Sequence, residues 1–163
     1  RVSRGLGDVY KRQEKSGVKS AIINLGGNVL CIGGRPDGEP FKVGVQKPFA
    51  DRNETAAVVD INGRSVVSSG IYERCFKQDG KLYHHILDPH TGYPYDNGLI
   101  SVTIISDRSV DGDALSTTCF ALGLKKGLAF AEKKGVQAVF ITKDYELHYT
   151  KDFQKKIKVS QVD

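Results

Sequence analysis

Asp113 and Thr117 stand four residues apart in the run Asp111-Gly112-Asp113-Ala114-Leu115-Ser116-Thr117-Thr118, at the start of a helical pattern. On a helix that spacing sets a carboxylate and a hydroxyl on one face. Hard oxygen donors of this kind suit Mg2+, which completes its octahedron with waters, backbone carbonyls and substrate phosphate. A helix start adds free backbone N–H groups that favour a nearby phosphate. Capping explains the same residues without any ligand: Asp111 or Asp113 caps the helix, and the Ser and Thr hydroxyls bond back to carbonyls. On spacing alone, capping is the stronger account.

The run His84-His85-Ile86-Leu87-Asp88-Pro89-His90-Thr91-Gly92-Tyr93-Pro94 holds most of the histidines of the chain. Asp88-Pro89 begins a turn, and Gly92 takes the positive φ that closes it. His84 and His85 point to opposite faces of a strand, so at most one of them looks into a given site. His85 could bind a phosphate or move a proton, because imidazole titrates near neutrality. A histidine at a strand end is nevertheless more often structural or exposed. Asn24-Leu25-Gly26-Gly27-Asn28 joins two apolar strands, and Ser68-Ser69-Gly70-Ile71-Tyr72-Glu73-Arg74 follows another. Paired glycines let backbone approach a flat or phosphorylated ligand, and they also make ordinary turns. Neither run is the strand-GxGxxG-helix fingerprint or the GxxxxGK[ST] phosphate loop.

The elements that must position these residues are mostly strands. Short β-rich runs, SAIINL, NVLCIG, FKVGVQ, AAVVDI and SVVSSG, are separated by Gly, Pro, Asn and Asp signals. Asn62-Gly63 reads as a tight hairpin turn. LYHHIL and LISVTIIS add two strands around a long loop, residues 88–98, so antiparallel pairing is expected. The helical signal comes late: Ala114, Leu115, Thr118, Phe120, Ala121 and Leu122 supply a mostly small or apolar surface, and a second helix covers roughly residues 125–134 beyond Gly123. VQAVFIT and ELHYT close the pattern, with Lys143-Asp144 in the turn. Strands followed by clustered helices indicate an α+β domain with an antiparallel-rich sheet. The basic stretch RVSRGLGDVYKRQ, residues 1–13, has no periodicity and is expected to be poorly ordered, leaving residues 14–163 as one domain.

With 163 residues and 39% hydrophobic side chains, the chain can bury the core of one globular domain. No apolar run approaches the roughly 18 residues of a spanning helix, and the first residues lack the apolar stretch of a signal peptide. The absence of methionine and the opening Arg1 read as a fragment or processed piece of a longer protein. A net charge of +5 would attract nucleic acid, anionic lipid or a polyphosphate. The densest cluster, Lys151, Lys155, Lys156 and Lys158, has no interleaved aromatics for stacking and reads as solvated surface, so nucleic acid is not expected as a partner. Cys31, Cys75 and Cys119 recur 44 residues apart in dissimilar surroundings, without zinc-ligand spacing. Their apolar contexts favour buried free thiols.

In order and combination, INLGGN, SSGIYER, HHILDPHTGYP and DGDALSTT closely resemble the ApbE family, the FAD:protein FMN transferases, over roughly residues 17–150. The resemblance implies a Mg2+-dependent enzyme of flavinylation, which splits FAD, releases AMP and places FMN on a threonine of an acceptor flavoprotein. It implies Asp113 and Thr117 as Mg2+ ligands, with Ser116 adjacent, and places His85 and Leu87 along bound FAD, Leu87 through its backbone. Ser69, Gly70, Gly26 and Gly27 follow as further pocket residues. Mg2+ would bridge the FAD pyrophosphate, and His85 or a carboxylate would take the hydroxyl proton. Attack by water would make the same site an FAD pyrophosphatase; a flavin-binding domain without turnover is the other alternative.

In the family, a segment resembling D-L-G-G-I-A-K-G-Y precedes the INLGG strand; here RVSRGLGDVYKRQ stands in its place. The chain is therefore expected to be the C-terminal, metal-binding part of the family's fold. Bacterial relatives are typically exported and often lipid-anchored through an N-terminal cysteine, so an extracytoplasmic, membrane-anchored lipoprotein is expected of the full-length protein. No transmembrane segment is expected within this chain.

Overall fold

Leu99–Ser106 carries five apolar and three hydroxyl-bearing side chains and is buried at all eight positions, as a strand covered on both faces must be. It lies at the centre of the computed structural model, which describes residues 12–13, 15–51 and 54–160. Of the basic opening stretch, residues 1–13, for which poor order is expected, residues 1–11 lie outside the described residues, while Arg12 and Gln13 are helical.

In chain order the strands are β1 (Ala21–Asn24), β2 (Asn28–Ile32), β3 (Phe41–Gln46), β4 (Thr55–Ile61), β5 (Ser65–Gly70), β6 (Cys75–Gln78), β7 (Lys81–His84), β8 (Leu99–Ser106), β9 (Gln137–Thr142), β10 (Leu147–Tyr149) and β11 (Val159–Ser160). Among the described residues, helical conformation also occurs at residues 12, 13 and 15, and the helices with both ends described are α1 (Ser109–Lys133) and the single turn α2 (Phe153–Lys156). The main sheet has six strands in the order β1-β2-β5-β8-β9-β10, and every pairing in it is antiparallel. A three-stranded sheet, β11-β4-β3, covers one face and α1 covers the other. This is the expected α+β, antiparallel-rich architecture.

Strand alternation divides the core in two. Val102, Ile104 and Phe140 pack with Cys119, Phe120 and Ala131 of α1. Val66, Ile105 and Val139 point the other way and pack with Val43, Val59, Ile61, Phe153 and Ile157. Helix α1 meets the sheet along Ser109, Gly112, Ser116, Cys119, Phe120, Gly123, Gly127 and Ala131, a stripe spaced at three and four residues. Most of these are small, and the approach is close: a Cβ on Gly112 would sit 2.8 Å from Val67 Cγ2 and 2.9 Å from Ser106 Oγ. The expected apolar surface is thus partly corrected. Phe120 is buried, but Ala114, Thr118 and Leu122 are exposed, because close helix–sheet contact selects small side chains over large ones.

Four other expectations are corrected. Asn62-Gly63 is a corner and not a hairpin, since β4 and β5 belong to different sheets and Gly63 N–H donates to Gly33 O at 2.9 Å. The strand in LYHHIL ends at His84 and pairs with β6, which lacked an alternating signal, and not with β8. Helix α1 starts at Ser109, with Arg108 extended at the cap and no side-chain capping bond, so neither Asp111 nor Asp113 caps it. Cys31 and Cys119 are buried free thiols, pushed up to about 11 by burial, whereas Cys75 is exposed on β6. Lys151, Lys155, Lys156 and Lys158 are exposed as expected. Among the described residues no helix is long and apolar enough to cross a membrane.

The expected break at Gly123 is present inside α1, with φ 73° and ψ 176°. That conformation is essentially restricted to glycine. Gly123→Ala should lower the unfolding free energy by about 1–3 kcal/mol, read as a shift in the urea midpoint at unchanged slope; an unaltered midpoint would show that the kink relaxes freely.

Candidate functional site

The site grows from strand β5 and the first half of α1. Val67 and Ser69 point toward the helix, while Val66, Ser68 and Gly70 point to the opposite face. Ser69 Oγ lies 2.8 Å from Ser116 Oγ and 3.0 Å from Thr117 Oγ1, and Ser116 Oγ donates to the Asp113 carbonyl at 3.1 Å. Ser116 is fully buried; Asp113 and Thr117 are exposed one turn apart. The helix start is itself tied down, because the Ser109 hydroxyl donates to the buried Asn28 Oδ1 at 2.9 Å.

The opposite wall is the His84–Pro94 segment. His85 and Leu87 line an open cleft of about 560 Å³ together with Ile86, Pro89, Tyr95, Thr117, Thr118, Ala121 and Leu122. That volume lies within the range of small-molecule sites. The loop is braced as its sequence requires: Gly92 at φ 73° donates to the Asp88 carbonyl at 2.8 Å, Asp88 N–H donates to Tyr93 O at 2.8 Å, and His90 N–H donates to Asp88 Oδ1 at 2.9 Å. Leu87 bridges Pro94 across the loop and stays half exposed toward the cleft.

The two histidines separate as strand alternation demands. His84 is buried; its Nε2–H donates to Tyr95 O at 3.0 Å and its Nδ1 accepts Ile86 N–H at 3.3 Å. These bonds require the neutral ring. Burial, reinforced by the neighbouring charges of His85 and Lys143, holds its pKa below the ordinary value despite the opposing pull of the Tyr95 carbonyl and Asp96. His85 faces outward, with Nδ1 3.4 Å from the Arg74 carbonyl. A carbonyl only accepts, so in the neutral ring Nδ1 carries the proton and Nε2 is left with a free lone pair.

The remaining candidates lie elsewhere. Gly26 and Gly27, at φ 67° and 70°, make the two-residue turn between β1 and β2. Gly27 and Gly70 border a second, smaller cleft of about 190 Å³ between the two larger sheets, with Ser68, Tyr72 and Glu73. The structure therefore brings His85, Leu87 and Thr117 to the cleft, bonds Ser69 to Thr117 and Ser116 on its β5 side, sets Asp113 one helical turn from Thr117, and leaves Gly26, Gly27 and Gly70 outside. Tyr95, Ala121 and Leu122 are lining residues the motifs did not single out as site residues. Ala121 and Leu122 belong to the small or apolar helix surface noted in the sequence, and Tyr95 directly follows the histidine-bearing motif.

The donor set fits a hard divalent cation. Among the described residues no group of three or more His, Cys, Asp or Glu side chains gathers in metal-ligand fashion. One exposed carboxylate and one exposed hydroxyl leave the other positions to water and phosphate oxygen, the habit of Mg2+.

The sequence profile of the ApbE family matches residues 6–140. The FAD:protein FMN transferase of Klebsiella pneumoniae (strain 342) is 48% identical over 139 residues, covering 85% of this chain and 42% of that protein. That of Treponema pallidum (strain Nichols) is 38% identical over 149 residues, covering 86% and 41%. Among solved structures, the flavin transferase ApbE from Vibrio cholerae aligns with a TM-score of 0.78 at 27% identity, over 92% of this chain and 48% of that one. The ApbE protein of Thermotoga maritima aligns with a TM-score of 0.76 at 33% identity, over 83% and 44%. The chain spans less than half the length of each of these proteins.

Because His84 is held neutral, the unfolded chain binds its proton more readily than the folded one below about pH 6.5. Its contribution to stability is present above that pH and is lost as the pH falls toward the depressed folded value. His84→Gln, which keeps a donor for Tyr95 O, should flatten the decline in unfolding free energy below pH 6.5 relative to the parent chain in denaturant titrations. An equally steep decline in the variant would assign the effect to other groups.

Proposed function

This chain belongs to the ApbE family, and on that premise we propose that it forms the cation-binding and part of the flavin-binding half of an FAD:protein FMN transferase. The observation that carries the reading is that Thr117, one helical turn from the exposed Asp113, lines the same cleft as His85 and Leu87. Asp113 carboxylate and Thr117 hydroxyl would hold Mg2+, with Ser116 behind them. Bound there, the ion supplies charge neutralisation at the FAD pyrophosphate as the bond between FMN phosphorus and the AMP oxygen breaks. The apolar lining, Leu87, Ala121 and Leu122, offers a flat aromatic ring system an apolar surface to cover.

In this reading a threonine hydroxyl of the acceptor protein attacks the FMN phosphorus, a new P–O bond forms, and AMP leaves. His85 Nε2, free of internal partners while Nδ1 is engaged by Arg74 O, takes the hydroxyl proton. The cleft is open on the side of His85 and Leu87, both of which are exposed, which leaves room for an acceptor as large as a protein.

The test uses the protein that carries this chain, with FAD, Mg2+ and a threonine-bearing acceptor, and follows covalent FMN by intact mass. Asp113→Ala should slow transfer by more than the roughly 10–100-fold typical of losing an outer-shell metal partner. His85→Ala should cost about 10²–10⁴-fold in kcat. An Asp113→Ala rate equal to the parent's would remove the cation assignment, and FMN plus AMP with no acceptor modification would identify a hydrolase.

A further inference from the structure

A threonine in a helix ordinarily bonds back to the carbonyl four residues earlier, and Thr118 does so, donating to Ala114 O at 2.8 Å. Thr117 does not. Its counterpart carbonyl, Asp113 O, already accepts the Ser116 hydroxyl at 3.1 Å. A hydroxyl has one proton. Ser116 has committed its own to Asp113 O, so at the 2.8 Å contact between Ser116 Oγ and Ser69 Oγ the donor is Ser69. The Ser69 proton is then also committed, so the 3.0 Å contact between Ser69 Oγ and Thr117 Oγ1 runs from Thr117 to Ser69. The three hydroxyls form a one-way chain: Thr117 to Ser69, Ser69 to Ser116, Ser116 to the Asp113 backbone.

The geometry points to Ser69 as the positioning residue of the cation site. By accepting the Thr117 proton it turns that proton inward toward β5 and leaves the Thr117 lone pairs on the exposed face shared with Asp113, where a cation would take them. The inference rests on the assignment of Asp113 and Thr117 as cation ligands. Ser116 is the fixed end of the chain: it is fully buried, so no solvent water can take the place of either of its bonds. Without Ser69, the Thr117 hydroxyl loses its inward acceptor and its proton is free to point into the cation site, which opposes coordination.

The test is a Mn2+ titration of the full 163-residue chain, with and without FAD, following loss of the free-ion paramagnetic resonance signal. Mn2+ is the probe because it shares the oxygen-ligand preference of Mg2+. Metal-free melting temperatures are measured alongside. Ser69→Ala should raise the Mn2+ dissociation constant about 10–100-fold, and Ser69→Thr, which keeps the hydroxyl, should stay within about threefold of the parent. Ser116→Ala breaks the chain from its other end and should weaken Mn2+ in the same direction, so the inference is tested even if one variant fails to fold. A purely structural Ser69 would lower the metal-free melting temperature while folded Ser69→Ala binds Mn2+ like the parent, and that result overturns the positioning role. If Asp113→Ala abolishes Mn2+ binding while Ser69→Ala and Ser116→Ala do not weaken it, only the positioning role falls. If the parent and Asp113→Ala bind Mn2+ equally, the cation assignment fails and takes the positioning role with it.

Discussion

The close seating of the first half of α1 on β5 and β8 is the constraint on which the rest of the structure depends. It is possible only because Gly112 has no side chain to meet Val67 and Ser106, and because Ser116, one turn later, is small enough to be fully buried. Short distance then turns three hydroxyls into one network. With a larger residue at either position the helix would stand off the sheet, and Thr117 would have no partner on β5. Burial of the Ser116 hydroxyl is tolerated because it is bonded to both Ser69 and the Asp113 carbonyl, which offsets the usual cost of burying a hydroxyl group.

The cleft follows from a second consequence of strand geometry. Alternation sends His84 inward, where two hydrogen bonds and burial fix it as a neutral structural ring, and sends His85 outward to the cleft. Neighbouring residues of one type thus acquire opposite roles without any change in chemistry. The Asp88–Tyr93 bonds hold the following loop closed, so Leu87 and Pro89 form a wall opposite Ala121 and Leu122 rather than a free flap.

Much of this was legible in the residues because the signals are local. The i, i+4 spacing of Asp113 and Thr117, the Asp88-Pro89 turn closed by Gly92, the glycine turn at residues 26–27 and the break at Gly123 all depend on backbone conformations that a few adjacent residues decide. What was not legible depends on contacts remote in sequence. The Ser69 contacts with Ser116 and Thr117 span 47 and 48 positions, and nothing within SSGIYER announces them. Asn62-Gly63 has the residues of a hairpin turn, yet it carries the chain between sheets, because β4 finds its partners in β3 and β11 and β5 finds its own in β2 and β8. Strand β6 is exposed throughout and so carries no alternation to read. The buried stripe of α1 was hidden for a related reason: apolar residues usually mark the buried face, but a helix pressed against a sheet buries its glycines and serines.

The central claim is that Asp113 and Thr117, aligned by the hydroxyl network, form a site for a hard divalent cation at the mouth of the flavin cleft. Anomalous diffraction from crystals grown with Mn2+ and FAD tests it most directly. The account predicts one strong anomalous peak within coordination distance of both the Asp113 carboxylate and Thr117 Oγ1, with Ser69 Oγ still bonded to Thr117. A peak bound by other residues, or Thr117 turned back to a helix carbonyl beside an ordered metal, would contradict it.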